Sequence, residues 1–100
     1  MKMTDLLSRV IKTIRAHRED FEARFGVRLV GVVGSVARGE ERANSDIDVV
    51  FDVAGSTTLF KLSHAQFELE DELGRTVDLV NREALRPKAR AFIERDLVLA

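Results

Sequence analysis

The chain of 100 residues contains no cysteine, no tyrosine and no tryptophan. Without cysteine it can form neither disulfides nor thiolate metal sites, and it has no thiol nucleophile. No set of serine, histidine and aspartate can be recognised as a catalytic triad either. If this protein catalyses a group transfer, we therefore expect a second molecule to supply the attacking group.

The sequence also lacks an excess of charge of one sign and long apolar runs. Its 16 Lys and Arg against 17 Asp and Glu give a formal net charge of −1. A protein dedicated to duplex nucleic acid needs a basic surface that neutralises phosphates, so we expect no direct nucleic-acid binding. No apolar segment approaches the roughly 20 residues of a membrane span, and Met1 to Asp5 lacks the apolar core of a signal peptide. We expect a cytoplasmic protein without a membrane partner.

Hydrophobic and charged residues are present in the proportions of an ordinary folded domain. They make up 45% and 33% of the chain, and this length allows one domain with a modest core. We therefore expect a single domain over residues 1–100. Because no room remains for a separate substrate domain, the substrate or partner should help to build the site.

Hydrophobic periodicity predicts helices and strands in the order helix, strand, strand, helix, strand, helix. Apolar residues at helical spacing run from Thr4 to Phe25, and Gly26 can end that helix. The order of all elements predicts an α/β (α+β) fold with a small mixed sheet packed against helices. The other predicted elements are a strand over Val27–Val33, a helical turn or loop over Arg38–Asn44, a strand over Asp46–Val53, a helix that begins after Thr57 or Thr58 and ends at Gly74, a strand over Thr76–Val80, and a short helix that Pro87 starts or breaks.

Two carboxylates stand two residues apart at the start of the second predicted strand. Side chains alternate faces along a strand, so Asp46 and Asp48 share one face while Ile47, Val49 and Phe51 point into the core. Neighbouring carboxylates repel each other, and a divalent cation between them relieves that repulsion. Hard oxygen ligands of this kind suit Mg²⁺.

A glycine-serine turn precedes these carboxylates, at the end of the first predicted strand. Only a residue without a side chain lets the backbone approach a ligand closely, so Gly34 and Ser35 could offer backbone N–H groups and a hydroxyl to phosphate. Arg38 could contact phosphate or a partner protein, or remain a surface charge. Ser45 either hydrogen-bonds a carboxylate or simply begins the strand.

The combined pattern Gly34-Ser35-x-Ala37-Arg38-Gly39-x5-Ser45-Asp46-x-Asp48 resembles the DNA polymerase beta-like nucleotidyltransferase superfamily. Its spacing looks most like the minimal nucleotidyltransferase (MNT) antitoxins of HEPN/MNT toxin-antitoxin systems. The resemblance implies the nucleotidyltransferase fold, ATP as a substrate and two Mg²⁺ ions. It also implies a third aspartate on the strand after the intervening helix.

Asp78 matches that third aspartate in order and context. Burying a carboxylate in an apolar strand costs several kcal/mol unless a metal or cation pairs with it. The alternative is an exposed position, or a pair with Arg75 or Arg82. Asp52 shares the parity of Asp48 but lies about 13 Å farther along the strand, too far for the same metal pair.

The resemblance further implies an antitoxin that acts as a protein adenylyltransferase. Such a protein would transfer AMP from ATP to a tyrosine of a cognate HEPN ribonuclease toxin. Two alternatives stay open: an antitoxin that neutralises its toxin by binding alone, and nucleotidyl transfer to a small hydroxylated molecule. The implied catalytic and metal-binding residues are Asp46, Asp48 and Asp78, and the implied nucleotide-binding residues are Gly34, Ser35 and Arg38.

A stable complex with a toxin requires exposed apolar surface. The sequence offers Leu97–Leu99 and the outer side of the helix over Thr58–Leu73. The alternative for the C-terminal tail is that it pairs back onto the domain's own core.

Overall fold

The computed structural model describes residues 4–100, so Met1–Met3, on which part of the signal-peptide expectation rests, lie outside the described residues. Helices and strands alternate along the chain. The helices are α1 (Asp5–Phe25), α2 (Gly34–Arg38), α3 (Leu59–Leu73) and α4 (Pro87–Asp96), the strands are β1 (Val27–Val33), β2 (Ile47–Val53), β3 (Val77–Asn81) and β4 (Val98–Leu99), and Arg82–Ala84 forms a 3₁₀ turn. No helix among these residues combines the length and apolar character needed to cross a membrane.

The four strands form one mixed sheet in the order β3-β2-β1-β4. Strand β1 is antiparallel to both β2 and β4, whereas β2 and β3 are parallel. Parallel neighbours need a long crossover connection, and α3 provides it. The predicted fold class, a small mixed sheet packed against helices, is confirmed.

The core lies between one face of the sheet and the helices α1 and α3. Thr4 begins α1 by accepting a 3.1 Å hydrogen bond from the Leu7 N–H, and Gly26 ends it at a φ of 66°. The predicted inward side chains of β2 are fully or almost fully buried in this core, as are several large residues of the helices and β1: Ile47, Val49, Phe51, Ile14, Phe21, Leu29 and Leu69.

Local differences from the predicted elements cluster around the motif. Residues Gly34–Arg38 form a short helix where a turn was predicted. Gly39, at a φ of 73°, ends that helix, so most of the predicted turn or loop over Arg38–Asn44 is a loop. Strand β2 begins one residue later than predicted, and β3 is shifted by one residue toward the C-terminus.

The C-terminal tail pairs with its own sheet, as one of the two alternatives for this segment predicted, although Leu99 stays 66% exposed. Val98 and Leu99 pair with Val32 and Gly31 of β1. A Cβ on Gly31 would overlap the carbonyl oxygen of Val98 and lie 3.1 Å from Leu97 Cδ1. Because the neighbouring Val32 enters the core, Gly31 belongs to the second face of the sheet, the one opposite α1 and α3, and the Leu97 side chain lies against it there.

Candidate active site

Asp48 and Asp78 are register partners on the parallel strands β2 and β3. Adjacent strands lie about 4.8 Å apart and paired residues point to the same face, so the two carboxylates stand side by side. That face is the second one, because Ile47 and Val49 on either side of Asp48 enter the core. Asp46 directly precedes β2 and is exposed. The tertiary structure thus brings all three predicted carboxylates to one end of the sheet.

The environment of Asp48 raises the pKa of its carboxyl above the ordinary value. Partial burial is the largest cause, followed by the negative charges of Asp78 and Asp46. Arg38 acts in the opposite direction and lowers this pKa. Asp48 is therefore the carboxylate on which the negative charges of both other aspartates act.

Asp78 was expected to be buried within an apolar strand. This expectation is wrong, because its side chain is exposed. β3 is an edge strand, and its second face remains open to solvent at this position. The two arginines considered as partners are engaged elsewhere. Arg75 donates hydrogen bonds to the carbonyl oxygens of Arg42 and Ser45 at 2.9 and 3.2 Å, and Arg82 pairs with Asp52. The register with Asp48, not desolvation, places Asp78 in the site.

Asp52 belongs to the structure of the sheet. It is only 8% exposed, and the Arg82 guanidinium donates to both of its carboxylate oxygens at 2.6 and 3.3 Å. A two-point contact of this kind satisfies the buried charge. The ion pair joins the 3₁₀ turn after β3 to β2. The sequence did not indicate this pair, because its two residues are 30 positions apart.

Gly34 is the first residue of α2 and lies against the Asp48 carboxylate. Its φ of 79° is disfavoured for other residues. A Cβ at this position would overlap Asp48 Oδ2. Both constraints require glycine, and they bring the start of α2 directly beside the carboxylates. Ser35 follows in the first turn and is half-buried.

Arg38 connects α2 to the C-terminal helix. Its Nη1 donates to Asp96 Oδ2 at 2.7 Å, and its Nε donates to Glu40 Oε2 at 3.1 Å. Sequence reasoning missed Asp96, which lies 58 residues away in the chain and in no recognisable motif. Ser45 has a structural contact, since its Oγ accepts a 2.8 Å hydrogen bond from the Arg42 N–H and closes the turn. A contact of Arg38 with nucleotide stays a prediction.

The carboxylates suit a hard cation that is bound together with substrate phosphates. Within residues 4–100, no three acidic or histidine side chains converge into a ready-made metal site. Mg²⁺ is commonly held by one or two carboxylates plus phosphate oxygens and water, not by an all-protein cage. Such a cation would relieve the repulsion between the carboxylate of Asp48 and those of Asp78 and Asp46, which raises the pKa of Asp48. The donor set therefore fits Mg²⁺.

We predict that Asp48→Asn stabilises the metal-free protein at neutral pH. Because the folded state raises the pKa of Asp48 above its usual 3.8, the free energy of unfolding falls as pH rises through that raised pKa. Asparagine does not ionise and avoids this loss, which we estimate at about 0.5 kcal/mol, or about 2–4 °C in Tm. Thermal unfolding in EDTA at pH 7 measures the gain, which should vanish below the ordinary aspartate pKa. A lower Tm for the variant at pH 7 would contradict the repulsion.

Comparison with known proteins identifies the family of this site. The sequence profile of the nucleotidyltransferase domain matches residues 14–100. The chain belongs to this family. Protein adenylyltransferase MntA of Thermococcus cleftensis is 35% identical over 92 residues, which cover 92% of this chain and 93% of that protein. The chain is a nucleotidyltransferase, and its carboxylate pair on β2 and β3 lies in the matched domain.

Solved structures agree with the fold of this nucleotidyltransferase. A protein described as a candidate minimal nucleotidyltransferase superposes with a TM-score of 0.71 and 36% identity, covering 98% of both chains. A toxin-antitoxin structure with AMP-PNP superposes with a TM-score of 0.58 and 23% identity, covering 83% of this chain and 61% of that one. At that identity the second likeness concerns the fold alone.

Proposed function

We propose that this nucleotidyltransferase is a cytoplasmic antitoxin that transfers AMP from ATP to a tyrosine of a cognate HEPN ribonuclease toxin. The similarity to a protein named as an adenylyltransferase supports the AMP group and a protein acceptor. The resemblance of the Gly34–Asp48 pattern to the MNT antitoxins supports the toxin as that acceptor.

The observation that carries the proposal is the pairing of Asp48 with Asp78 beside Gly34. Two carboxylates from neighbouring strands and a glycine that leaves the space next to them free form a site for a negatively charged, metal-bound phosphate chain. Transfer of a nucleotidyl group depends mainly on positioning and charge neutralisation, which such a site provides.

The reaction exchanges a phosphoanhydride bond of ATP for a phosphate ester bond to the acceptor. The tyrosine oxygen attacks the α-phosphorus of ATP, the bond between this phosphorus and the bridging oxygen to the β-phosphate breaks, and pyrophosphate leaves with that electron pair. The Asp78 carboxylate, exposed at the sheet edge, accepts the hydroxyl proton. Gly34, Ser35 and Arg38 orient the triphosphate.

Asp46, Asp48 and Asp78 would hold Mg²⁺, with two ions in the arrangement that the resemblance implies. Bound Mg²⁺ supplies positive charge that stabilises the attacking and leaving oxygens. Without such a cation, the three carboxylates would repel the triphosphate. The residues of the chain thus account for binding of a metal-nucleotide complex and for acceptance of the proton.

The acceptor in this proposal is a second protein because the chain lacks the groups for self-modification on tyrosine. It contains no tyrosine, and the described part of the chain forms only the small sheet and its helices. A partner must therefore bring the hydroxyl group to the exposed end of β2 and β3.

The deciding experiment incubates the protein with Mg²⁺, ATP labelled at the α-phosphate and the purified HEPN protein encoded beside it. We expect the label on the HEPN protein at a tyrosine, and the loss of its ribonuclease activity. Inhibition without label would instead indicate an antitoxin that acts by binding alone. Label on a small hydroxylated acceptor, with none on the protein, would indicate the other alternative.

Asp78→Asn separates binding from chemistry in the same assay. The amide keeps the shape of the side chain but loses the charge that accepts the proton and contacts metal. We expect nucleotide binding within a few-fold of wild type and a transfer rate lowered by about 10²-fold or more. A variant that transfers AMP at the wild-type rate would remove Asp78 from the proposed mechanism.

A further inference from the structure

Two helices of this protein present apolar side chains to solvent. On α3, Phe60 and Phe67 are 75% and 65% exposed. On α4, Phe92 is 67% exposed and borders a groove of about 520 Å³. We define the α4 face as the apolar side chains that line this groove, Leu85, Ala89, Phe92 and Ile93.

The two apolar surfaces lie on opposite sides of the sheet. Helix α3 packs with α1 over the core face. Helix α4 leads into Leu97, whose side chain lies against Gly31 on the second face, and Asp48 and Asp78 point to this second face. A protein that brings a hydroxyl group across the second face approaches from this side, although Asp78 at the sheet edge also borders a pocket with Leu59 and Leu62 of α3.

Helix α4 is also the helix with the least burial. None of its ten residues is buried, although isolated helices shorter than about 12 residues are marginal in water. Pro87 at the first turn and the Arg38–Asp96 ion pair at the end hold it in place. This ion pair joins α4 to α2, whose first residue, Gly34, lies against Asp48. The helix is thus linked, through α2, to the residue that lies against Asp48.

The rim of the groove is positively charged. Arg86 and Lys88 line it together with the apolar side chains, and both are exposed. The lining of the groove contains no acidic residue. A complementary partner therefore presents apolar side chains flanked by carboxylates.

We propose that the α4 face docks the acceptor protein, which contributes an apolar surface bordered by acidic residues. This inference rests on the proposed protein adenylyltransferase function. It places the contact on the same side of the sheet as the carboxylates, so that docking and delivery of the hydroxyl group use one continuous surface. The α3 surface, on the other side, has no part in it.

The test measures the Kd of the purified HEPN protein encoded beside this chain, without ATP. Phe92→Ala should raise the Kd at least tenfold, as expected for a central aromatic contact. Phe67→Ala is the matched control, because it removes the same side chain at nearly equal exposure from the opposite side. It should leave the Kd within twofold. Circular dichroism and thermal unfolding establish that both variants are folded.

Charge reversal gives an independent readout. Arg86→Glu combined with Lys88→Glu should slow association at low salt at least tenfold and weaken its dependence on ionic strength. The single reversal Arg86→Glu is compared with Lys61→Glu on α3, which changes the charge by the same amount and should change the association rate less than twofold. A salt dependence equal to wild type in the α4 variant would contradict an acidic partner surface.

Other outcomes overturn the proposal in distinct ways. A larger loss with Phe67→Ala would move the contact to α3. Self-association of the isolated chain that Phe92→Ala abolishes, with an unchanged Kd for the HEPN protein, would assign the α4 face to a second copy. If the Kd changes as expected but the wild-type protein transfers no AMP, the α4 face is the docking site and the proposed adenylyltransferase function is wrong. If AMP transfer occurs and Phe92→Ala leaves both the Kd and the transfer rate unchanged, the proposed function is retained and docking on the α4 face is wrong.

Discussion

Asp48→Asn is expected to lower the rate of AMP transfer by at least about 10³-fold, equivalent to about 4 kcal/mol of transition-state stabilisation. Asp48 has Asp78 beside it, Asp46 nearby and Gly34 against its carboxylate. In the proposed mechanism, removing its charge deprives the metal-nucleotide complex of its central ligand. Single-turnover transfer of labelled AMP to the HEPN protein gives the rate directly.

The fold should survive this substitution, since the metal-free variant is expected to be more stable than wild type. Asp71→Asn, on the exposed side of α3, removes the same charge away from the site and should retain full activity. Asp46→Asn should resemble Asp48→Asn. Wild-type transfer by both motif variants would refute the assignment of this motif to catalysis.

Gly34→Ala is expected to lower transfer by about 10²-fold and to destabilise the protein. Alanine at a φ of 79° costs about 1–2 kcal/mol, or about 4–16 °C in Tm. Its Cβ would also overlap the Asp48 carboxylate and force it aside, and displacement of a catalytic group by about 1 Å can produce a loss of this size.

Gly74→Ala separates the two effects. Gly74 has a similar φ of 68°, but a Cβ there meets nothing within 4 Å. We expect both variants to lose stability and only Gly34→Ala to lose activity. Comparison of Tm with single-turnover rate at a temperature at which both are folded makes the distinction. Equal activity losses would show that backbone strain, and not the position of Asp48, explains the Gly34 effect.

The sequence was informative where a pattern is local. Thr4 and Gly26 mark the ends of α1 because caps depend on a few neighbouring residues. The alternation in β2 correctly placed Ile47 and Val49 in the core. The motif itself correctly indicated the nucleotidyltransferase family. The predicted roles of the individual site residues await the experiments above.

The sequence was less informative where burial and pairing depend on distant segments. The apolar neighbours of Asp78 in the sequence suggested that this residue is buried. However, β3 lies at the edge of the sheet and leaves Asp78 exposed. The tail carried apolar residues compatible with a docking surface or with the protein's own sheet. Only the structure showed that the tail pairs with β1.

By itself, the sequence determined the longer helices, the three main strands and the glycine before the carboxylates. These features arise from the fixed periods of helices and strands and from the conformational freedom of glycine. The tertiary structure decided that Asp78 stands beside Asp48, that Arg82 neutralises Asp52 and that Asp96 holds Arg38. Each of these contacts joins residues 30 or more positions apart. They form only once the whole sheet has assembled, since no local pattern encodes a register between distant strands.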